Sequence, residues 1–247
     1  MAIDPKQITT DITLELDEEE ISIADFQRAF DGFFGLVKEV TKAVAPRRNP
    51  NAWAVKVYEG SAGVGVSNLG SEFSVEEISS ITNTLFAGLD ALKEGARNSF
   101  FSDRAIEHAK SIANIFKGTK VQPNVRLWSK RDRALPISRA LVEKATEILA
   151  PAYEEQGAVE GTLERLESHT KLQFVIYDVI DERAVRCEIT EGLMEQAWKA
   201  WRQRVEVSGS VKYRKDGMPV SVKASKIIPF PQKSEIPTVQ QMRALLG

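Results

Sequence analysis

Residues able to carry acid–base, nucleophilic or metal chemistry are scarce in this chain of 247 residues. It contains two histidines, His108 and His169, and one cysteine, Cys187. Nucleophilic catalysis needs a base beside the nucleophile, and a protein zinc site needs several cysteine, histidine or carboxylate ligands. The histidines fall in different predicted domains, and no HExxH, Walker or ordered serine–histidine–aspartate motif occurs. We therefore expect no enzyme activity, no metal and no cofactor.

Several features that resemble ligand sites have simpler explanations. The glycine-rich run 60–65 lacks the Lys-Ser/Thr pair of a phosphate loop and lies between two predicted strands, which favours a hairpin turn. The acidic run 17–20 is interpreted as a solvated turn rather than a cation site. No residue of metal-ligand type lies four positions before or after His108, which favours a surface or packed histidine. Cys187 holds an inward position on a predicted strand, which favours core packing over a reactive thiol.

The overall composition is typical of a globular protein, with 43% hydrophobic and 28% charged residues. The formal net charge of −2 supplies no general attraction for nucleic acid or acidic membranes. A single cysteine excludes an internal disulfide. No apolar run approaches the ~20 residues needed to cross a bilayer, and the N-terminus lacks the basic start and apolar core of a signal peptide. These observations predict a cytoplasmic protein.

The region 157–230 has the element order of a small β-barrel. Five segments alternate apolar and polar residues, and the segment 190–201, after the third of them, has helical spacing. Gly161 predicts a bulge or sharp bend in the first strand, and Trp198 is expected to be buried where the helix closes one end. Five strands with a helix between the third and fourth fit an OB fold better than a sandwich or a parallel α/β unit. The predicted strands are 157–167, 172–178, 183–189, 204–213 and 219–230.

Residues 1–150 predict a separate N-terminal α+β domain. Its strands alternate apolar and polar residues, and its helices carry apolar stripes behind serine caps such as Ser22, Ser74 and Ser102. Residues 1–11 are expected to be loose, and 151–157 to be a linker. The predicted strands are 12–16, 52–58, 64–66 and 125–128, and the predicted helices begin near 22, 74, 102 and 137. The predicted fold class is therefore α+β, with an N-terminal α+β domain, an OB-like barrel and a tail.

The tail, 231–247, joins a proline-stiffened tether to a capping box at Thr238-x-x-Gln241. The box predicts a short amphipathic helix, which can dock on its own protein or on a partner. Docking on its own protein is favoured. The candidate partner-binding residues of this helix are Met242, Leu245 and Leu246.

The segment from Lys117 to Lys144 is the concentrated basic region of the sequence. It holds eight basic residues against Asp132 and Glu143. Cations beside an aromatic ring suit single-stranded nucleic acid, which offers phosphates and stacked bases. The candidate nucleic-acid-binding residues in this segment are Arg126, Trp128, Lys130, Arg131 and Arg133.

An OB-like barrel would offer a second nucleic-acid surface across its second and third strands. Against this, residues 155–231 hold twelve basic and twelve acidic side chains, and such a balance attracts phosphate weakly. The alternative is that Tyr177 covers the barrel and the charges are simply solvated. The candidates on this surface are Tyr177, Arg186, Lys212, Arg214 and Lys223.

A family resemblance rests on short structural segments in both halves of the chain, 53–61, 159–164, 174–178, 184–187, 205–213 and 236–239. In these segments the chain resembles a loosely defined group of uncharacterised bacterial two-domain proteins with a C-terminal OB-like barrel. The resemblance implies an occurrence in mobile elements and near genes for defence against phage. It implies no catalytic residue.

Two functional hypotheses remain. The first is a non-catalytic accessory or adaptor subunit of a bacterial multi-protein system, active in antiviral defence, which binds a protein encoded nearby through its apolar surfaces and tail. The alternative is a single-stranded nucleic-acid-binding protein that uses the OB-like barrel and the basic segment. Neither hypothesis involves a membrane.

Overall fold

The computed structural model describes residues 3–17, 20–58, 62–114, 124–130, 133–169, 171–180 and 183–231. Contacts divide the chain into two compact units, Met1–Leu149 and Ala150–Gly247. The described residues form five α-helices and two five-stranded sheets. The mixed α+β class predicted from the sequence is therefore confirmed.

The first unit is built on an antiparallel sheet whose central strand is β1. Leu14 of β1 lies opposite Val64 on one neighbouring strand and Leu127 on the other. The strand order across the sheet is β2-β3-β1-β4-β5. The strands are β1 (Ile12–Asp17), β2 (Trp53–Tyr58), β3 (Ala62–Asn68), β4 (Asn124–Ser129) and β5 (Arg133–Ile137). Residues 62–65 of the glycine-rich run belong to β3, which pairs antiparallel with β2, and residues 59–61 lie outside the described part.

Four helices bury their apolar stripes in the core of the first unit. Serine side chains cap three of them, and Ser74 forms a reciprocal capping box with Glu77, as the sequence predicts. Phe33, Phe86 and Phe101 are fully buried in this core. The helices are α1 (Ile23–Val44), α2 (Val75–Lys93), α3 (Asp103–Ala113) and α4 (Arg139–Leu149).

Two predictions for the first unit are wrong. The N-terminal residues are not loose, because Ile3 and Ile8 are buried against Tyr58, whose hydroxyl accepts the Thr9 N–H at 3.1 Å. The strand β5 was not predicted, since Pro136 weakens the strand signal. Proline is tolerated there because β5 is an edge strand, and α4 consequently begins later than expected.

The second unit is a sheet that closes on itself into a barrel. Each strand pairs with two others in the ring β6-β7-β8-β10-β9, with β9 returning to β6. The β8–β10 pair is parallel and the other four pairs are antiparallel. The elements are β6 (Tyr153–Glu167), β7 (Gln173–Tyr177), β8 (Ala184–Glu188), α5 (Glu191–Lys199), β9 (Arg204–Tyr213) and β10 (Pro219–Pro229).

The first barrel strand differs from its prediction in two ways. It begins at Tyr153, inside the expected linker, because Tyr153 pairs with Tyr213 and stacks on its ring at 5.3 Å. The register shift lies between Leu163 and Arg165 rather than at Gly161. Gly161 instead permits close approach of the backbone, since a Cβ there would lie 2.6 Å from the Tyr177 carbonyl oxygen.

The orientation of α5 also overturns a prediction. Trp198 is 66% exposed rather than buried. The fully buried Ala197 and the partly buried Leu193 face the barrel core instead. Small side chains allow α5 to approach the barrel closely, which a tryptophan at the same position would prevent. No helix in the described ranges is long and apolar enough to cross a membrane.

The buried thiol of Cys187 provides a test of the barrel core. The side chain has no exposed surface, and burial raises the pKa of the thiol well above its ordinary value, so almost no thiolate forms near neutral pH. We expect Ellman's reagent to modify the folded protein roughly 100-fold more slowly than the unfolded one, because reaction requires an opening that costs ~3 kcal/mol or more. Release of thionitrobenzoate measures the rate, and the Cys187→Ala variant supplies the blank. Rapid stoichiometric labelling of the folded protein would contradict this burial.

Candidate functional site

Two of the predicted nucleic-acid residues of the basic segment, Arg126 and Trp128, face a buried carboxylate. Glu15 on the central strand β1 is fully buried and lies opposite Arg126 on β4. Its Oε2 accepts a hydrogen bond from the Trp128 indole Nε1 at 2.7 Å, and the Arg126 guanidinium lies 3.7 Å from the same oxygen. Its Oε1 accepts the Ile3 N–H at 2.5 Å. Trp128 and Arg126 are therefore partners of Glu15, and this use makes them unsuited to stacking on bases and binding phosphates.

The remaining described cations of the basic segment also have acidic partners. Lys130 Nζ lies 3.7 Å from an Asp11 carboxylate oxygen, and Arg133 forms an ion pair with Asp90. Exposed ion pairs contribute little stability, but each carboxylate cancels much of the field of its cation. The local excess of positive charge in the sequence therefore does not become a free cationic patch in the described part of this segment. Arg139 and Lys144 likewise pair with Glu143 and Glu147, whereas Lys117, Lys120 and Arg131 lie outside the described residues.

The barrel brings together three of its five predicted nucleic-acid residues. Arg186 on β8 and Lys212 on β9 both lie opposite Ser221 of β10, and Lys223, two residues along β10, lies on the same outer face. Tyr177 on β7 is half-buried and lies opposite Ala184 of β8, two residue pairs along from Arg186.

Two observations reduce the strength of this cationic face. Arg214 is only 6% exposed, so the structure does not present it to a ligand. Glu188 lies between the cations, opposite Lys223, and accepts a hydrogen bond from Lys171 at 2.8 Å. This hydrogen bond, together with the charges of Lys171, Lys212 and Lys223, lowers the pKa of Glu188 despite the opposing effect of burial. The face therefore contains a carboxylate that stays ionised at neutral pH.

The α5 helix and the turn after it carry an exposed apolar surface that was not predicted. Met194, Trp198 and Trp201 are 44%, 66% and 48% exposed, and we name them the aromatic face. The two indole rings stack with centroids 6.0 Å apart, and Trp201 Nε1 donates to the Glu164 carbonyl oxygen at 3.1 Å. The ring of Trp201 is thus held in place before any ligand arrives.

A signal for the aromatic face was present in the sequence. Positions 193, 197 and 200 form one helical stripe, and 194, 198 and 201 form a second stripe about 100° further round the helix. A short helix against one end of a barrel buries a single stripe. The second stripe therefore had to face another surface or solvent. This second stripe holds the larger side chains, those of Met194, Trp198 and Trp201.

His108 lies in a groove between α1 and α3 rather than in a metal site. Burial lowers the pKa of its imidazole, with a partly opposing charge from Glu39, and the ring packs so closely on Gly35 that a Cβ there would lie 2.2 Å from it. A cavity of about 410 Å³ beside it is lined by Gln27, Arg28 and other mostly polar residues. Within the residues described, no group of three histidine, cysteine, aspartate or glutamate side chains is placed to hold a metal ion.

Comparison with known proteins finds no matching family model and no matching curated protein. The resemblance to bacterial two-domain proteins therefore stays a prediction. The predicted partner-binding residues of the tail, Met242, Leu245 and Leu246, lie outside the described residues.

The hydrogen-bond network of Glu15 can be tested by a Glu15→Gln substitution. An amide would direct an NH₂ group at either the Ile3 N–H or the Trp128 indole N–H, so one buried donor would lose its acceptor. We expect the free energy of unfolding to fall by about 2–4 kcal/mol. Urea denaturation followed by tryptophan fluorescence measures the change. The matched control is Glu143→Gln, at an exposed ion pair, which should cost less than ~0.5 kcal/mol. Equal effects at both positions would contradict the network.

Proposed function

We propose that this protein is a non-catalytic accessory or adaptor subunit of a bacterial multi-protein system and that it binds a partner protein through the aromatic face of α5. This proposal rests on one observation: Trp198 and Trp201 are exposed and stack on each other. Tryptophan is strongly enriched among the residues that dominate binding energy, and methionine is enriched at interfaces generally. A pair of stacked indoles is also rigid, so little side-chain entropy is lost when a partner covers it.

The surroundings of the aromatic face suit a protein partner better than a nucleic acid. Glu191 and Glu195 belong to the same helix, and Lys199 is paired with Glu195. With two carboxylates and one lysine, α5 offers no net positive charge to a phosphate backbone, whereas a charged rim around an apolar centre is the usual arrangement of a protein interface. The partner segment that fits is apolar on one side, with polar or basic residues at its edges.

The proposal includes an OB type for the barrel, serving as a docking platform. The strand order, the parallel β8–β10 pair and the single helix between the third and fourth strands support this assignment. A setting in phage defence, in the cytoplasm, with a partner encoded nearby, rests on the resemblance and the composition.

Affinity capture from the source bacterium, followed by titration of the captured protein, tests this function. We expect a partner that binds the intact chain and whose affinity falls at least ~30-fold for the Trp198→Ala, Trp201→Ala double variant, since truncation of central interface tryptophans typically costs 2 kcal/mol or more. The matched control is Phe100→Ala, which removes an aromatic side chain of similar exposure, 48%, from the first unit. Because the substituted tryptophans lie outside the barrel core, circular dichroism should show an unchanged fold. A partner that binds the double variant and the intact chain equally would refute the role of this face.

Binding of single-stranded nucleic acid is the second candidate function, supported by the placement of Arg186, Lys212 and Lys223 on one outer face. If this face binds phosphates, a labelled oligothymidine at low salt should bind with a Kd of ~10 μM or tighter, as non-specific complexes do. Fluorescence polarisation measures it. The Arg186→Glu, Lys223→Glu variant should then lose the binding, while the Arg28→Glu, Lys42→Glu variant of α1 should retain it. Absence of binding by the intact chain at that concentration would exclude this function.

A further inference from the structure

The described residues end beside the aromatic face. After β10, the Phe230 N–H donates to the Arg204 carbonyl oxygen at 2.9 Å, and the Arg204 guanidinium lies over the Phe230 ring at 5.0 Å. Arg204 is the third residue after Trp201. Because consecutive Cα atoms are about 3.8 Å apart, three residues span at most ~11 Å. The chain therefore leaves the barrel at the end where α5 lies.

The size of the aromatic face indicates what kind of occupant it suits. With about 200 Å² for each fully exposed large side chain, the exposed fractions of Met194, Trp198 and Trp201 amount to roughly 300–350 Å². A stable interface between folded proteins buries about 800 Å² on each partner. The face is too small for a second globular surface alone, and its size suits one side of a short helix.

The sequence beyond Pro231 contains such a segment. The capping box at 238–241 begins an apolar stripe at Met242, Leu245 and Leu246, spaced three and four residues apart as on one helix face. The seven steps from Pro231 to Thr238, where the predicted helix begins, can span up to roughly 25 Å when extended. The whole of α5, at nine residues, is only about 14 Å long. The tether is thus long enough to place the stripe on the aromatic face.

We propose that residues 238–246 dock as a short helix on the aromatic face of their own chain, with Met242, Leu245 and Leu246 against Trp198 and Trp201. A tether of this length holds the helix at an effective concentration on the order of millimolar. Docking with an intrinsic Kd of ~0.1 mM would then cover the face in roughly nine of ten molecules. Even a weak intrinsic contact would keep the face mostly covered.

The regulatory consequence rests on the proposed function. A partner that uses the aromatic face must displace the tail, so the docked tail lowers the apparent affinity for that partner by the fraction of open molecules, roughly tenfold. The tail therefore acts as a built-in competitor, and release of the tail would activate partner binding. The rim carboxylates Glu191 and Glu195 also lie where Arg243, next to Met242, can complement them.

The indole N–H signals in a ¹H–¹⁵N NMR spectrum of the full chain test the docking. The chain has four tryptophans, and Trp→Phe variants assign their signals. In the Met242→Ser, Leu245→Ser, Leu246→Ser variant, we expect the signals of Trp198 and Trp201 to shift while those of Trp53 and Trp128 stay in place. The matched control, Gln240→Ser with Ala244→Ser, changes the opposite side of the same helix and should leave all four signals unchanged. Addition of a 232–247 peptide should return the shifted signals towards their original positions.

Three outcomes would overturn the proposal. Identical indole signals in the triple variant and the intact chain would show that the tail does not cover the face. Equal shifts in the triple variant and its control would show that the effect is not specific to the apolar stripe. Signals of the intact chain that change with protein concentration would assign the contact to the tail of a second copy rather than to the same chain.

Failure of the docking and failure of the proposed function are distinguishable. If both hold, the captured partner should bind the triple variant roughly tenfold more tightly than the intact chain. If only docking holds, the indole shifts appear and no partner depends on Trp198 and Trp201. If only the adaptor function holds, the partner depends on the tryptophans and the tail variant changes neither the indole signals nor the affinity.

Discussion

The buried carboxylate of Glu15 is the interaction on which the organisation of the first unit depends. A charge removed from water must be matched by donors, or the fold loses several kcal/mol. The donors come from two separate parts of the chain: the Ile3 backbone near the N-terminus, and the Trp128 indole and, less closely, the Arg126 guanidinium on β4. One side chain on the central strand thus holds the N-terminal segment on the second face of the sheet and orients the Trp128 side chain of β4 there. The same requirement turns Arg126 and Trp128 of the basic segment toward Glu15.

The barrel buries its core by closing the sheet on itself, and this arrangement leaves Trp198 and Trp201 outside the core. The closed ring of strands leaves no unpaired edge, and its interior is filled mainly by valines, with Phe174 and Cys187 among them. The helix α5 approaches this interior through Ala197, whose small side chain permits a short distance. The larger residues of the neighbouring stripe then face away from the core. We therefore propose that the partner protein binds at α5 rather than at the charged surfaces.

Local patterns predicted much of the fold, whereas the candidate site depended on contacts between distant residues. The sequence predicted features that depend on neighbours within a few residues. These are the helix caps at Ser22, Ser74 and Ser102 and the inward position of Cys187. The strand β5 was missed because Pro136 contradicts strand propensity unless the strand is known to lie at an edge. The start of β6 was missed because it is stabilised by Tyr213, sixty positions away along the chain.

By itself, the sequence determined most of the helices and strands of both units, since hydrophobic periods of 3.6 and 2 are local properties. It also determined that reactive side chains are few. Only the tertiary structure decided which cations are paired, because Glu15 and Asp90 reach β4 and β5 across long separations in the chain. It also decided which of two adjacent stripes on α5 faces the barrel. That choice depends on the space at the end of the closed sheet, and it places Trp198 and Trp201 on the surface, where they could not be placed by periodicity alone.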